Sequence, residues 1–393
     1  MPALKSLIAS TMLAAASAAA PTIEFSHVET TNFTHPLGYQ VFSTTYFSRT
    51  MDLAPGEMIF TQSDATKLPM PSTKLKGYAI VGFGGEIVDA STNRSAPLSE
   101  CYDHHWIAVQ KSHHNELCNG NPEYVVGIGA ESRNTYDRFP QGYGYVVKPF
   151  ENEWGANIHL LHTEGLAGDE YQAAKECNEC YYAPGKAPTC TKEQNGTFEC
   201  CGESCGEHEC FCPTAKDSKA QTRSYALRYQ VNYTYDIDQI TSVDIGTMTT
   251  PECQLFYAVY ENNEEPERVD SYEMEIPTDV EVVYAVGHQH VGALNISLFV
   301  DDEFVCASYP RYGTQPGVAG DEYGFVVEIS TCIDKDTTGS LHIKKGSKIR
   351  LDSWYWVGSN DTRIYPHPGG THLNVMGYLY VAYIPESKDV QVF

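Results

Sequence analysis

The stretch Val375-Met376-Gly377-Tyr378-Leu379-Tyr380-Val381 decides the fold. Extended, it sorts into two faces: Met376, Tyr378 and Tyr380 on one, and Val375, Gly377, Leu379 and Val381 on the other. That period of two predicts a strand over 375–384. Working outward, the same pattern predicts strands over 78–83 (after a turn at Gly77), 106–110, 143–147, 156–161, 225–235, 280–286, 294–300, 324–329 and 348–356. Helix-period segments are almost absent, and 27 Tyr accompany many Val, Ile and Thr. So many short strands between turns predict an all-β protein of antiparallel β-sandwiches. A length of 393 residues suggests two of them, over 21–235 and 236–393.

The first 20 residues stand outside both. Lys5, an apolar run over 7–13 and small residues from Ala14 to Ala20 read as a secretory signal peptide. No later stretch approaches the roughly 18 apolar residues of a membrane helix, so a secreted protein without a transmembrane segment is expected. The 26 basic and 51 acidic residues give a formal charge of −25. Phosphate backbones and anionic membrane surfaces are repelled by such a chain, which excludes nucleic acid as a partner.

Thirteen cysteines suit an oxidising export route. Eight fall within 177–212, a stretch too poor in apolar residues for a core, so it reads as a small insertion stapled by disulfides. A zinc ribbon is the rival reading, because Cys177 and Cys180 have ligand spacing. Outside it, Cys101 can pair with Cys118 and Cys306 with Cys332, leaving Cys253 for the insertion to bond. Sequons at Asn32, Asn93, Asn195, Asn232, Asn295 and Asn360 are candidate glycosylation sites.

Six candidate metal ligands lie at separated points: His104 with His105, His159, His288 with His290, and Met376. Imidazole nitrogens with one thioether suit copper cycling between two oxidation states, whereas structural zinc more often recruits thiolates. On a strand His288 and His290 point the same way and converge on one ion. His104 and His105 are consecutive, so both reach one metal only at a strand end or a bulge. His159 is the natural third nitrogen, with His162 on the opposite face as the other choice. His113 and His114 read as a solvated pair in a polar loop.

The stretch from Gly287 to Leu298, GHQHVGALNISL, together with Gly127-Ile128-Gly129-Ala130-Glu131-Ser132-Arg133 and the cysteine-rich insertion, resembles the stress-upregulated nodulin family over most of the mature chain. A more distant similarity is to the copper type II, ascorbate-dependent monooxygenases, the class of peptidylglycine α-hydroxylating and dopamine β-monooxygenase. It rests on the His104-His105 pair, the glycine-containing stretch 138–147 leading to His159, the His288-X-His290 triplet, and His367-Pro368-Gly369-Gly370-Thr371 ahead of Met376.

That similarity implies two jelly-roll-like sandwiches facing each other across a solvent-filled cleft. It implies one copper on His104, His105 and His159 that stores an electron from ascorbate. A second copper, on His288, His290 and Met376, would bind oxygen and remove hydrogen from a substrate C–H bond. Tyr380 is retained as a substrate-side residue. Val286 stands where the peptide-hydroxylating members carry a base that grips a carboxylate, and Tyr378 replaces a polar residue, so a C-terminal glycine peptide is not the expected substrate. Two other functions remain open: a copper-holding or structural extracellular glycoprotein without turnover, and a metal-free wall-associated module that binds glycans.

Overall fold

The computed structural model describes residues 23–61, 66–118, 122–133, 137–165, 220–260, 262–358 and 372–385. The expected signal peptide, the insertion 177–212, Asn195, Asn360 and His367 lie outside the described residues. Within them the elements are strands joined by turns and short 3-10 segments, the all-β class that the period-two pattern requires. Strands form at Tyr143–Val147 and Lys348–Trp356 with the expected bounds. The runs at 78–83 and 106–110 are the cores of longer strands, Tyr78–Asp89 and Cys101–His114. The latter corrects one reading: His113 and His114 end a strand rather than sit in a loop.

The N-terminal half packs two sheets. One runs in the order Phe25–Thr34, Gln40–Ser48, Arg223–Thr234, Tyr78–Asp89, Tyr143–Val147, with Thr241–Ser242 added in parallel at its edge. The other runs Met58–Thr61, Trp154–His162, Cys101–His114, Pro122–Ile128. Trp106 fills the space between them, its ring 5.1 Å from Phe83 and 5.3 Å from Tyr229. Gly85 makes room for it, since a Cβ there would lie 2.5 Å from the indole. Truncating a core Trp of this kind costs about 3–5 kcal/mol. Gly77, at φ 91°, closes the expected turn, and a side chain there would run into the Val147 carbonyl.

The C-terminal half packs a sheet of Asp244–Thr249, Gly377–Pro385, Val280–Gln289 and Thr331–Asp334 against one of Glu267–Glu275, Lys348–Trp356, Ala293–Val300 and Glu303–Ser308. The strand expected over 375–384 is divided. His372–Val375 pairs with Tyr257–Tyr260, whereas Gly377–Pro385 enters the central sheet, so Met376 sits at the break. Gly377 permits the change of sheet because its backbone approaches Thr250 and Ser353, where a Cβ would lie 2.6 Å from Ser353 Oγ.

Beyond the break the two expected faces separate cleanly. Leu379, Val381 and Tyr383 join the core of the C-terminal sandwich, while Met376, Tyr378, Tyr380 and Ala382 join the core that runs through the N-terminal half. The two halves therefore share one apolar cluster, with Tyr284, Val286 and Ile329 packed in the same body as Val125 and Ile128. Where a solvent-filled cleft was expected, the facing sheets are in contact, because the tyrosine face of Gly377–Pro385 is apolar enough to be buried there.

Candidate metal centre

The register of Trp154–His162 against Cys101–His114 pairs His159 with His105 and then Leu160 with Asp103. His104 is the extra residue of a β-bulge, the irregularity that two consecutive ligands require. The bulge resets the alternation. Tyr102 faces the C-terminal half, packed 5.2 Å from Phe325, whereas Trp106, which would share that side in a regular strand, points into the N-terminal sandwich. His104 and His105 consequently meet on one side, with ring nitrogens of His104, His105 and His159 all within 4.8 Å of one another.

Asn157 supplies an orienting contact. Two residues before His159 on the same strand, its Nδ2 donates to the Thr61 carbonyl at 2.6 Å, which leaves Oδ1 to accept from His105 Nε2 at 2.7 Å. His105 is thereby assigned as the Nε2–H tautomer with a lone pair on Nδ1, and that nitrogen lies 3.1 Å from His104 Nδ1. Burial, reinforced by neighbouring imidazoles, holds both His105 and His159 well below the usual histidine range. Both are neutral bases, the form in which imidazole binds a metal.

From the other half, Val280–Gln289 carries His288 opposite Tyr378 and Gln289 opposite Gly377. Gln289 points away, donating to Ser353 Oγ at 2.9 Å, so His288 faces the N-terminal half. There its Nδ1 hydrogen-bonds Glu131 of the Ala130–Arg133 turn, and its buried Nε2 has no hydrogen-bond partner among the described residues. His290 lies just past the strand end. Its N–H donates to Tyr355 Oη at 2.8 Å, and that hydroxyl donates to the Met376 carbonyl at 2.6 Å, which ties the histidine to the methionine's backbone. Met376 is buried on the face it shares with Tyr378 and Tyr380.

The two ligand groups are in contact. The rings of His104 and His290 lie 4.3 Å apart, closer than the 5.5 Å between His288 and His290. All five histidines are 2–5% exposed. Separate pockets facing across solvent are not what the fold builds: one buried cluster draws candidate ligand histidines from both halves. A transition metal fits this donor set, since the buried, neutral imidazoles of His105 and His159 and the His288 Nε2 without a hydrogen-bond partner among the described residues suit a cation with nitrogen affinity. His162 ends its strand elsewhere, against Tyr225 and 3.5 Å from Glu164, so His159 is the residue that joins the cluster. Tyr380 lies beside Gly127, its hydroxyl buried without a hydrogen-bond partner among the described residues; burial holds the phenol well above its usual range. Asn157 and Glu131 were not singled out from the sequence. Asn157 shares the face of His159 by its two-residue spacing, which is a usable signal; Glu131 has none beyond the glycines around it.

The cysteine pairing needs correction in one place. Cys306 bonds Cys332 as expected, but Cys118 bonds Cys253 rather than Cys101. The strand Cys101–His114 explains why, because at about 3.3 Å per residue it carries its two ends some 40 Å apart. Cys101 is buried at the far end. Of the candidate glycosylation sites, Asn32 and Asn93 are exposed, whereas Asn232 and Asn295 are half-buried on strands.

No curated protein matches the chain. Among solved structures, a beta-porphyranase of glycoside hydrolase family 86 from the human gut bacterium Bacteroides plebeius aligns at 6% identity and TM-score 0.17, over 84% of this chain and 38% of that one. The VP2 subviral particle of infectious bursal disease virus aligns at 12% identity and TM-score 0.17, over 89% and 77%. The Gt strain of that virus gives 9% and 0.19, over 90% and 73%. This chain thus spans well under half the length of the porphyranase, and TM-scores this low establish no common fold. The family model described as stress up-regulated Nod 19, by contrast, matches residues 110–383, which include His159, His288, His290, Met376 and Glu131, and the chain belongs to that family.

Proposed function

We propose that this is a secreted, copper-dependent monooxygenase-like protein that hydroxylates a substrate C–H bond with dioxygen, drawing electrons from ascorbate. The observation that carries the reading is the contact between His104 and His290, which joins two ligand sets into one buried cluster. His104, His105 and His159 would hold one copper, and His288, His290 and Met376 the other. Bound copper supplies one-electron redox chemistry and activation of dioxygen. The surrounding residues hold the imidazoles of His105 and His159 neutral, fix the ring of His105 through Asn157, and exclude bulk water from the cluster. Overall, C–H, dioxygen, two electrons and two protons become C–OH and water, with two ascorbates each giving one electron. Val286, part of the shared core, stands where the peptide-hydroxylating members carry a base, which favours an uncharged substrate over a carboxylate.

The near-complete burial of the histidines also favours a second reading, a copper-holding extracellular protein without turnover. Copper titration of the purified chain, followed by ascorbate-dependent oxygen consumption with candidate substrates, separates the two. On the first reading Met376→Ala abolishes consumption and spares copper at the His104, His105 and His159 set. Normal turnover by that variant removes Met376 from the centre, and failure to take up copper at all removes both readings.

A further inference from the structure

The Gly127-Ile128-Gly129-Ala130-Glu131-Ser132 segment belongs to the N-terminal half, and its two glycines leave room for side chains of the C-terminal one, Tyr380 and His288. Gly127 ends near the tip of the Pro122–Ile128 strand, and a side chain there would occupy the space of the Tyr380 phenol. Gly129 lies two residues on, just past the strand end. A Cβ on it would lie 2.5 Å from Glu131 Oε2 and 3.0 Å from His288 Cε1. The turn that follows is braced by itself: Ser132 N–H donates to the Gly129 carbonyl at 3.1 Å, and Gly129 N–H donates to Ser132 Oγ at 3.2 Å. The two glycines clear a floor, and the braced turn stands one carboxylate, 4% exposed, against one ring nitrogen of His288.

We propose that Glu131 is a positioning residue for the metal centre, holding His288 as its Nδ1–H tautomer so that the bare Nε2 is presented to copper. This rests on the copper reading above. An ionised carboxylate only accepts, so it selects the tautomer that donates from Nδ1. Its negative charge also makes the opposite nitrogen a stronger donor, as carboxylates behind metal-bound histidines do. The His288 Nε2 without a hydrogen-bond partner among the described residues is the atom this leaves for the ion. Glu131 is therefore the means by which the N-terminal half contributes to the ligand set of the C-terminal half.

The test has one arm without metal and one with it. In copper-free protein, nitrogen NMR of the His288 ring is expected to show a proton on Nδ1 and none on Nε2. Glu131→Gln is expected to broaden or shift that resonance while circular dichroism stays unchanged. In the copper-loaded arm, competition with a chelator is expected to show about 10- to 100-fold weaker copper binding by Glu131→Gln at the His288 set. The paramagnetic signal of the His104, His105 and His159 set is expected to persist. Should Glu131→Gln fail to fold, Ser132→Ala loosens the same turn and is expected to shift both readouts in the same direction by less. A proton on Nε2 in the native copper-free protein overturns the proposal, as does undiminished copper affinity in the variant. If the native chain takes up no copper, the functional reading falls alone, because the tautomer measurement still decides the role of Glu131.

Discussion

His104 meets His290 edge to face, ring centroids 4.3 Å apart and planes at 83°, although the two residues belong to different sandwiches. The contact makes the two ligand groups one neighbourhood, so a change in either is felt by the other. Replacing His290 with Ala is therefore expected to alter the paramagnetic spectrum of copper held by His104, His105 and His159, as well as to reduce the total copper bound. An unaltered spectrum from that set would mean the rings touch only as packing.

Asn157 offers a second test, close to the candidate metal ligands but not one of them. Its amide is fixed by the Thr61 carbonyl, and through it His105 is fixed. Asn157→Ala leaves His105 Nε2 without its acceptor and releases the ring to either tautomer. Loss of one such buried hydrogen bond costs about 1 kcal/mol of stability, and copper affinity at this set is expected to fall by roughly 10-fold or more. Equilibrium unfolding and chelator competition measure the two effects separately; a stability loss with unchanged affinity would assign Asn157 a purely structural part.

How far the sequence discloses this centre follows from the range of the interactions involved. The alternation over 375–384 is local, and it sorted Met376, Tyr378 and Tyr380 from Leu379 and Val381 as the fold does. The need for a bulge at His104 and His105 is likewise a local argument, and the register contains one. What no local pattern carries is the approach of the halves. Whether the tyrosine face of Gly377–Pro385 meets solvent or another sheet depends on the partner surface, so a closed interface could not be read where a cleft was expected. Glu131 escaped notice for the same reason, since its partner ring lies in the other half. The Cys101 to Cys118 pairing failed on a shorter scale: the strand from Cys101 outran the predicted 106–110 at both ends and separated the two thiols.

The Cys118–Cys253 bond joins the two halves across a sequence separation of 135. Closing so long a loop restricts the unfolded chain strongly, and removing such a native bond typically costs about 2–5 kcal/mol. The double variant Cys118→Ser with Cys253→Ser is expected to unfold at lower denaturant by a corresponding amount, whereas Cys101→Ser leaves the Cys118-containing disulfide peptide intact in non-reducing digests. Recovery of a Cys101–Cys118 peptide would contradict the pairing.

Acid sensitivity provides the last test, through His105 and His159. Both have folded pKa values depressed well below 6.5, chiefly by burial and secondarily by neighbouring imidazoles. In the unfolded chain each titrates near its ordinary value of about 6.5. Below that pH the unfolded state binds protons that the folded state refuses, so stability rises with pH there and falls as the solution is acidified. The stabilisation is fully present above about pH 6.5 and is lost progressively as pH drops toward the depressed folded values, by up to about 1.4 kcal/mol per pH unit for each histidine. Copper-free protein is thus expected to lose denaturant resistance between pH 7 and 5, and His159→Gln, which fills much of the same space without titrating, is expected to lose less over the same interval. Parallel losses in the two proteins would show that His159 is charged in the fold, and would remove it as a neutral nitrogen donor.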